Sequence, residues 1–228
     1  MPEETLRAYI KDHIQPQHAP GLVRLAFHDA GTFAPATNDG GASGSITNDL
    51  ELHRQENDGL QKTSARILEM RKNLSDFSLP DIIAVAGAVA IEMCGGPKIL
   101  VGLGRQESLT PAPINRLPDK DDDLKKVLDY FSRCGFNKQE TVALMGSHTL
   151  GDAEDKPFTK DRLSFNNSYF SRLISGERDP VLRFFHADEA LLEDPDYSAW
   201  IKKYANDQEL FFDDYKQAYK KMTWLTPK

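Results

Sequence analysis

The chain has 228 residues, and 28 basic against 35 acidic side chains leave a formal charge of −7 at pH 7. That balance excludes the basic footprint a nucleic-acid partner needs, and 39% hydrophobic with 28% charged residues excludes a disordered chain. The longest apolar run, Ile82 to Ile91, is about half of the roughly 18 residues a membrane span requires. Two cysteines, Cys94 and Cys134, make no disulfide framework and point to a reducing compartment.

The spacing of Leu6, Tyr9, Ile10 and Ile14 predicts an amphipathic helix over Pro2 to Gln15, and Gly21 to Ala30 reads as a second helix after Pro16 and Pro20. Glycines and a proline between Gly31 and Ser45 predict a long ordered loop or a site. Helical spacing returns at Asn48 to Glu51 and at Asn57 to Leu74. Asp81 to Cys94, with Pro80 at its start, predicts an apolar, Ala-rich buried helix that Gly95-Gly96-Pro97 stops. Leu100 to Arg105 reads as a short strand or irregular chain, and the prolines from Pro111 to Pro118 as a connector. Leu124 to Cys134 and Lys138 to Met145 are predicted helices. Gly146 to Asn166 is polar and irregular. Ser168 to Leu173, Ala187 to Leu192, Tyr197 to Ala205 and Leu210 to Met222 close the chain as helices. No alternating run of several strands is present, so the fold class is all-α.

On a helix, Arg24, Phe27 and His28 fall within one arc of roughly 100°, so one face presents a cation, an aromatic plate and an imidazole. An exposed arginine beside a packed histidine would show the same pattern. Asn57, in Glu56-Asn57-Asp58-Gly59, offers a carbonyl that can fix the tautomer of an imidazole and leave its other nitrogen as a base; a helix cap is the alternative. The second cluster is Ala143 to Gly151, where an apolar helix ends at Gly146 and Ser147-His148-Thr149 follows. Glycines there permit the close approach of a flat ligand or of another backbone. His148 can ligate a metal through one nitrogen and donate the other to a carboxylate, which raises the basicity of such a ligand. Asp188 is one candidate, with an N-terminal helix carboxylate as the alternative. Zinc, calcium, nucleotide and serine-hydrolase motifs are absent.

Taken in order, Arg24-Leu25-Ala26-Phe27-His28-Asp29-Ala30-Gly31-Thr32-Phe33, Gly40-Gly41 with Gly44-Ser45-Ile46, Glu51 with Asn57-Asp58-Gly59-Leu60, Gly95-Gly96-Pro97 with Gly104-Arg105, Arg116-Leu117-Pro118-Asp119, Val142 to Gly151 and Phe165-Asn166-Asn167-Ser168-Tyr169-Phe170 resemble the haem peroxidases. The resemblance spans nearly the whole chain and is greatest to the intracellular class, the ascorbate peroxidase group. It implies one haem peroxidase domain over residues 1–228, with a distal lobe of about 1–115, a proximal lobe of about 116–228, and haem b between them. His28 resembles the distal acid–base residue and Arg24 its cationic partner, with Phe27 and Asn57 beside them. His148 resembles the iron ligand and Asp188 its carboxylate partner, with Ser147 and Phe158 at the cofactor. Thr149, Thr159, Asp161, Ser164 and Asn166 line up with a proximal site for K+ or Ca2+. Asp29 and Ser45 match part of a distal calcium loop, but Ser43 stands where a carboxylate is expected, which argues against calcium there.

Departures from the pattern carry the donor expectation. Phe27 and Phe158 stand where the intracellular class usually has tryptophan, the stretch from Gly151 to Pro157 is shortened, the arginine that contacts ascorbate is missing, and Pro16 takes the place of a lysine. These changes are similar to the ascorbate peroxidase-related branch, commonly plastid proteins. They imply a hydrogen peroxide reductase that uses a small aromatic or other reductant instead of ascorbate, with its second oxidising equivalent on the porphyrin or on a tyrosine. The implied state is a monomer or weak dimer with no membrane span, in the chloroplast or alternatively the cytoplasm. The alternative function is a haem-poor, inactive relative acting as a structural or partner-binding protein.

Overall fold

Helices carry nearly all the regular structure of the computed structural model, which describes residues 2–153, 155–176 and 179–227. In chain order they are α1 (Pro2–His13), α2 (Ala19–Ala30), α3 (Asp49–Leu52), α4 (Gln61–Arg71), α5 (Leu79–Met93), α6 (Leu124–Arg133), α7 (Lys138–Met145), α8 (Ser168–Ser175), α9 (His186–Ala190), α10 (Pro195–Asn206) and α11 (Gln208–Thr223). Two-residue strands β1 (Asp152–Ala153) and β2 (Lys156–Pro157) pair antiparallel, Asp152 opposite Pro157. This is the expected all-α class. Among the described residues no helix is long and apolar enough to cross a membrane.

The chain divides into two compact units. The first comprises Met1–Met93, Lys98–Leu117 and Lys220–Lys228; the second comprises Cys94–Pro97 and Pro118–Tyr219.

In the first unit α2 and α1 pack on α5. Every residue of α5 from Leu79 to Ile91 is buried, and its alanines and Gly87 keep the side chains short enough for close helix approach. Arg105, fully buried, ties the returning segment to this core. Its guanidinium pairs with Asp81 at 2.7 Å, and its Nε donates to the Thr223 carbonyl at 2.5 Å. Leu100–Arg105 forms no strand. The amides of Val101 and Gly102 donate to the Glu3 carboxylate, each at 2.9 Å, and that of Gly104 to Asp81 at 2.7 Å. Side-chain oxygens thus satisfy backbone groups that a neighbouring strand would otherwise take.

In the second unit α10 packs on α7 and α8. The core there is aromatic: Phe165, Phe170, Tyr204, Phe211 and Tyr215 are all buried, with neighbouring ring centroids 4.8–5.7 Å apart. Helix starts follow capping chemistry. Asn137 and Glu140 form a reciprocal capping box on α7, and Asp194 accepts from the Asp196 and Tyr197 amides ahead of α10.

One misreading bears on the site. A helix starting at Asn57 was expected; Gln55–Asn57 is a separate 3-10 turn, and α4 begins at Gln61. Gly59, at φ +87°, is in the left-handed region that interrupts a helix.

Candidate active site

The first unit holds His28 in the last turn of α2. Burial comes first in lowering its pKa to about 3, the Arg24 cation adds to it, and the hydrogen bond to Asn57 opposes both. The ring is therefore neutral at ordinary pH. Its Nδ1 is 2.7 Å from Asn57 Oδ1. Asn57 Nδ2 donates to the Glu51 carbonyl at 2.8 Å, and that bond assigns the amide orientation. Oδ1 must then accept from Nδ1–H, which leaves Nε2 with a lone pair. Glu51 is 1% exposed and its Oε2 accepts from the Ala112 amide at 2.7 Å, so the proline-rich connector braces the turn that carries Asn57. Sequence reasoning gave Glu51 no role.

Arg24 and Phe27 come off α2 beside His28, as helical spacing predicts. The Phe27 ring meets the imidazole edge to face at 5.8 Å and 71°. The exposed Arg24 guanidinium donates to the carbonyls of Asp58 at 2.7 Å and Glu56 at 2.9 Å. Those bonds use two of its five donors and fix the plane of the rest. The adjoining Gly31–Ser45 segment is ordered by α2 as well. Both oxygens of Asp29 accept from the Gly44 amide, at 2.9 and 3.1 Å, and the Gly41 amide donates to Thr32 Oγ1 at 2.8 Å. Burial pushes Asp29 up to about 7, and its hydrogen bonds to the Gly44 amide make this carboxyl a backbone anchor for the loop.

The second unit holds His148 on a 3-10 turn, Gly146–Thr149, that continues α7. Its Nδ1 is 2.7 Å from Asp188 Oδ2, at the start of α9. Phe158 stacks on the imidazole at 5.1 Å and 25°, and Phe185 meets it edge on at 5.0 Å. Asp188 Oδ2 also accepts from the hydroxyl of Tyr169 at 2.5 Å. Burial and then the Asp188 charge hold that phenol well above its usual pKa. Tyr169 and Phe185 were not singled out, because α8 and the segment before α9 are distant from His148 in sequence; the NSYF run was the only trace of Tyr169.

Two expectations are refined here. Ser147, expected at a cofactor, has its hydroxyl 2.8 Å from that of the buried Tyr215. The glycine at 146 makes room for rings of its own unit: a Cβ there would lie 2.4 Å from Phe211 and 2.9 Å from Phe170. The proposed cation residues do come together. Thr159 Oγ1 is 3.1 Å from both the Thr149 and Asp161 carbonyls, and Thr149 Oγ1 is 3.3 Å from the Ser164 carbonyl and Asn166 Oδ1. Asn166 Nδ2 donates to Ser164 Oγ at 3.0 Å. Each threonine hydroxyl has one proton facing two acceptors.

A family model described as peroxidase matches residues 3–207. The chain belongs to the peroxidase family, as a haem-dependent oxidoreductase acting on hydrogen peroxide. Within that family it is a class I protein related to the ascorbate peroxidases. It is 39% identical over 214 residues to cytosolic L-ascorbate peroxidase 2 of Arabidopsis thaliana, covering 91% of this chain and 84% of that one. It is 38% identical over 217 residues to cytosolic L-ascorbate peroxidase 1 of Oryza sativa subsp. indica, covering 91% and 85%. With peroxisomal L-ascorbate peroxidase 5 of Arabidopsis thaliana it shares 39% over 213 residues, covering 91% and 76%.

Proposed function

We propose that this chain reduces hydrogen peroxide to water with electrons from a small aromatic or other reductant in place of ascorbate, with His28 and Arg24 acting on peroxide and His148 holding the iron of haem b. The single observation that carries the residue roles is the neutral, tautomer-fixed His28, whose basic Nε2 is what proton abstraction from peroxide requires.

The donor set fits haem. One imidazole is a single ligand, and a metal it holds must bring its remaining ligands, as a porphyrin does. With Nδ1 committed to Asp188, Nε2 is the ligating atom of His148, and the ring is kept from turning by Phe158 and Phe185. Haem b, when bound, supplies the iron and the redox equivalents for O–O cleavage. His28 takes the proton from the near oxygen of peroxide and returns it to the departing oxygen, so that water leaves instead of hydroxide. Arg24 directs its uncommitted donors at the charge that develops as the bond breaks. Asp188, accepting from His148 Nδ1–H, increases electron donation to the iron. Two one-electron donations from the reductant complete the turnover.

The donor reading rests on Phe27 and Phe158 in tryptophan positions and on the shortened Gly151–Pro157 stretch. The oxygen-rich cluster at Thr149, Thr159, Asp161, Ser164 and Asn166 suits one K+ or Ca2+, whose charge would satisfy the acceptor contacts that lack a proton. The compartment we propose is intracellular, in keeping with relatives named for the cytosol and the peroxisome; a plastid location has the two phenylalanines as its only argument. A monomer or weak dimer completes the reading, checked by sedimentation.

The test is reconstitution of the purified chain with haem b. A Soret band that shifts on adding peroxide is the expected result, followed by turnover with phenolic donors and little with ascorbate or cytochrome c. Failure to retain haem would replace this reading with that of an inactive relative, and rapid ascorbate oxidation would overturn the donor assignment.

A further inference from the structure

Asp188 Oδ2 accepts two hydrogen bonds, one from His148 Nδ1 at 2.7 Å and one from the Tyr169 hydroxyl at 2.5 Å. The second is as short as a charge-assisted O–H···O bond becomes. Tyr169 is fully buried, and its ring meets the His148 imidazole edge on at 5.8 Å and Phe158 at 6.0 Å. A phenol is readily oxidised only when its proton can leave with the electron. Here the acceptor is already hydrogen-bonded, and the electron's exit is the ring in contact.

Tyr204 and Tyr215 each have one of the two features without the other. Tyr204 has a carboxylate, Asp214 Oδ2 at 2.8 Å, but its ring neighbours are Phe170, Trp200 and Phe211. Tyr215 pairs with a serine hydroxyl, a poor proton acceptor. Phe158 stacks on the imidazole but has no proton to release.

We propose that Tyr169 supplies one of the two electrons consumed when peroxide is reduced, and holds the vacancy as a neutral tyrosyl radical until the reductant fills it. The inference rests on the reading that His148 holds haem. In the peroxide step the two electrons come one from the haem group and one from Tyr169 through the His148 ring, and the two protons of H2O2, moved by His28, leave in the first water; the second oxygen leaves as water only when the reductant has supplied a further electron and two protons. The phenolic O–H bond breaks, its proton forming a new O–H bond on the Asp188 carboxylate. An electron from the aromatic reductant and the proton held by Asp188 then restore the phenol.

The experiment is freeze-quench electron paramagnetic resonance on the haem-loaded chain after one equivalent of peroxide, with no reductant. A tyrosyl signal is expected, its hyperfine pattern collapsing in protein made with ring-deuterated tyrosine. The signal should be lost in Tyr169→Phe and kept in Tyr204→Phe, with the Soret band present in both. A radical insensitive to tyrosine deuteration overturns the proposal, and that measurement needs no substitution. A tyrosyl signal unchanged in Tyr169→Phe, or lost in Tyr204→Phe, overturns it as well. If no Soret band forms in the unsubstituted chain, the haem reading itself has failed, an outcome distinct from a normal band with no tyrosyl signal.

Discussion

The two units each hold one histidine by Nδ1 at the same distance, 2.7 Å, and differ in what accepts the bond. In the first unit it is the amide oxygen of Asn57; in the second it is the carboxylate of Asp188. A neutral acceptor sets the tautomer and adds little to the basicity of the ring, so His28 stays uncharged under burial and beside the Arg24 cation. A carboxylate sets the tautomer and also pushes electron density into the ring, which a metal ligand uses. One hydrogen-bond geometry would thus suit both the proton carrier proposed at His28 and the iron ligand proposed at His148, separated by a single charge on the partner.

The contrast breaks most completely at His28. Replacing it with leucine removes the base and should slow the peroxide reaction by about 10²–10⁴-fold while haem stays bound, as stopped-flow spectra would show. Rates equal to the parent's would remove His28 from the chemistry. Asp188→Asn gives the second site a partner like that of the first, and should cost about 10–100-fold in haem retention or activity, read by haem transfer to an apo-acceptor. An unchanged transfer rate would leave the carboxylate's charge without a role.

Asn57→Asp makes the reverse exchange. The parent's peroxide step should stay level as pH falls through 6.5 and drop only toward about 3, because burial favours the neutral ring. Stability follows the same sign: the contribution of His28 is complete above its unfolded value and is lost as pH falls through the folded one. A carboxylate at position 57 raises an adjacent histidine by roughly 1–3 units, so the acid limb should move up by that amount in a pH–rate series. A limb that does not move would mean that the position 57 partner leaves the ring's protonation unchanged. The smallest effect is expected from Gly146→Ala. Its Cβ would push against Phe211 and Phe170, an overpacking cost of about 1–3 kcal/mol, seen as a fall in melting temperature of about 2–4 °C per kcal/mol. A melting temperature equal to the parent's would show that the rings yield without strain.

Much of this was legible in the chain. Arg24, Phe27 and His28 share a helical arc because of their spacing alone, and α7 runs from Lys138 to Met145 as its helical spacing indicates. Asn57 was legible as an imidazole partner but was assigned to the wrong element, since a left-handed glycine two residues on does not show itself in hydrophobic periodicity. The glycine before Ser147-His148 was read as room for a ligand or a backbone; which atoms fill that room depends on Phe170 of α8 and on Phe211 of α11, the latter more than sixty residues further along the chain.

Local spacing and side-chain chemistry therefore determined the all-helical class, the face that carries His28 and Arg24, and the two histidines with their candidate partners. These depend on residues within a turn or two of one another, or on the donor and acceptor inventory of a residue type. Only the tertiary structure decided that Glu51 braces Asn57, that Tyr169 shares the carboxylate of His148, and that the C-terminal segment returns to the first unit through Arg105. Those contacts join segments far apart in the chain, where burial and the satisfaction of polar groups select the partner and no sequence period records the choice.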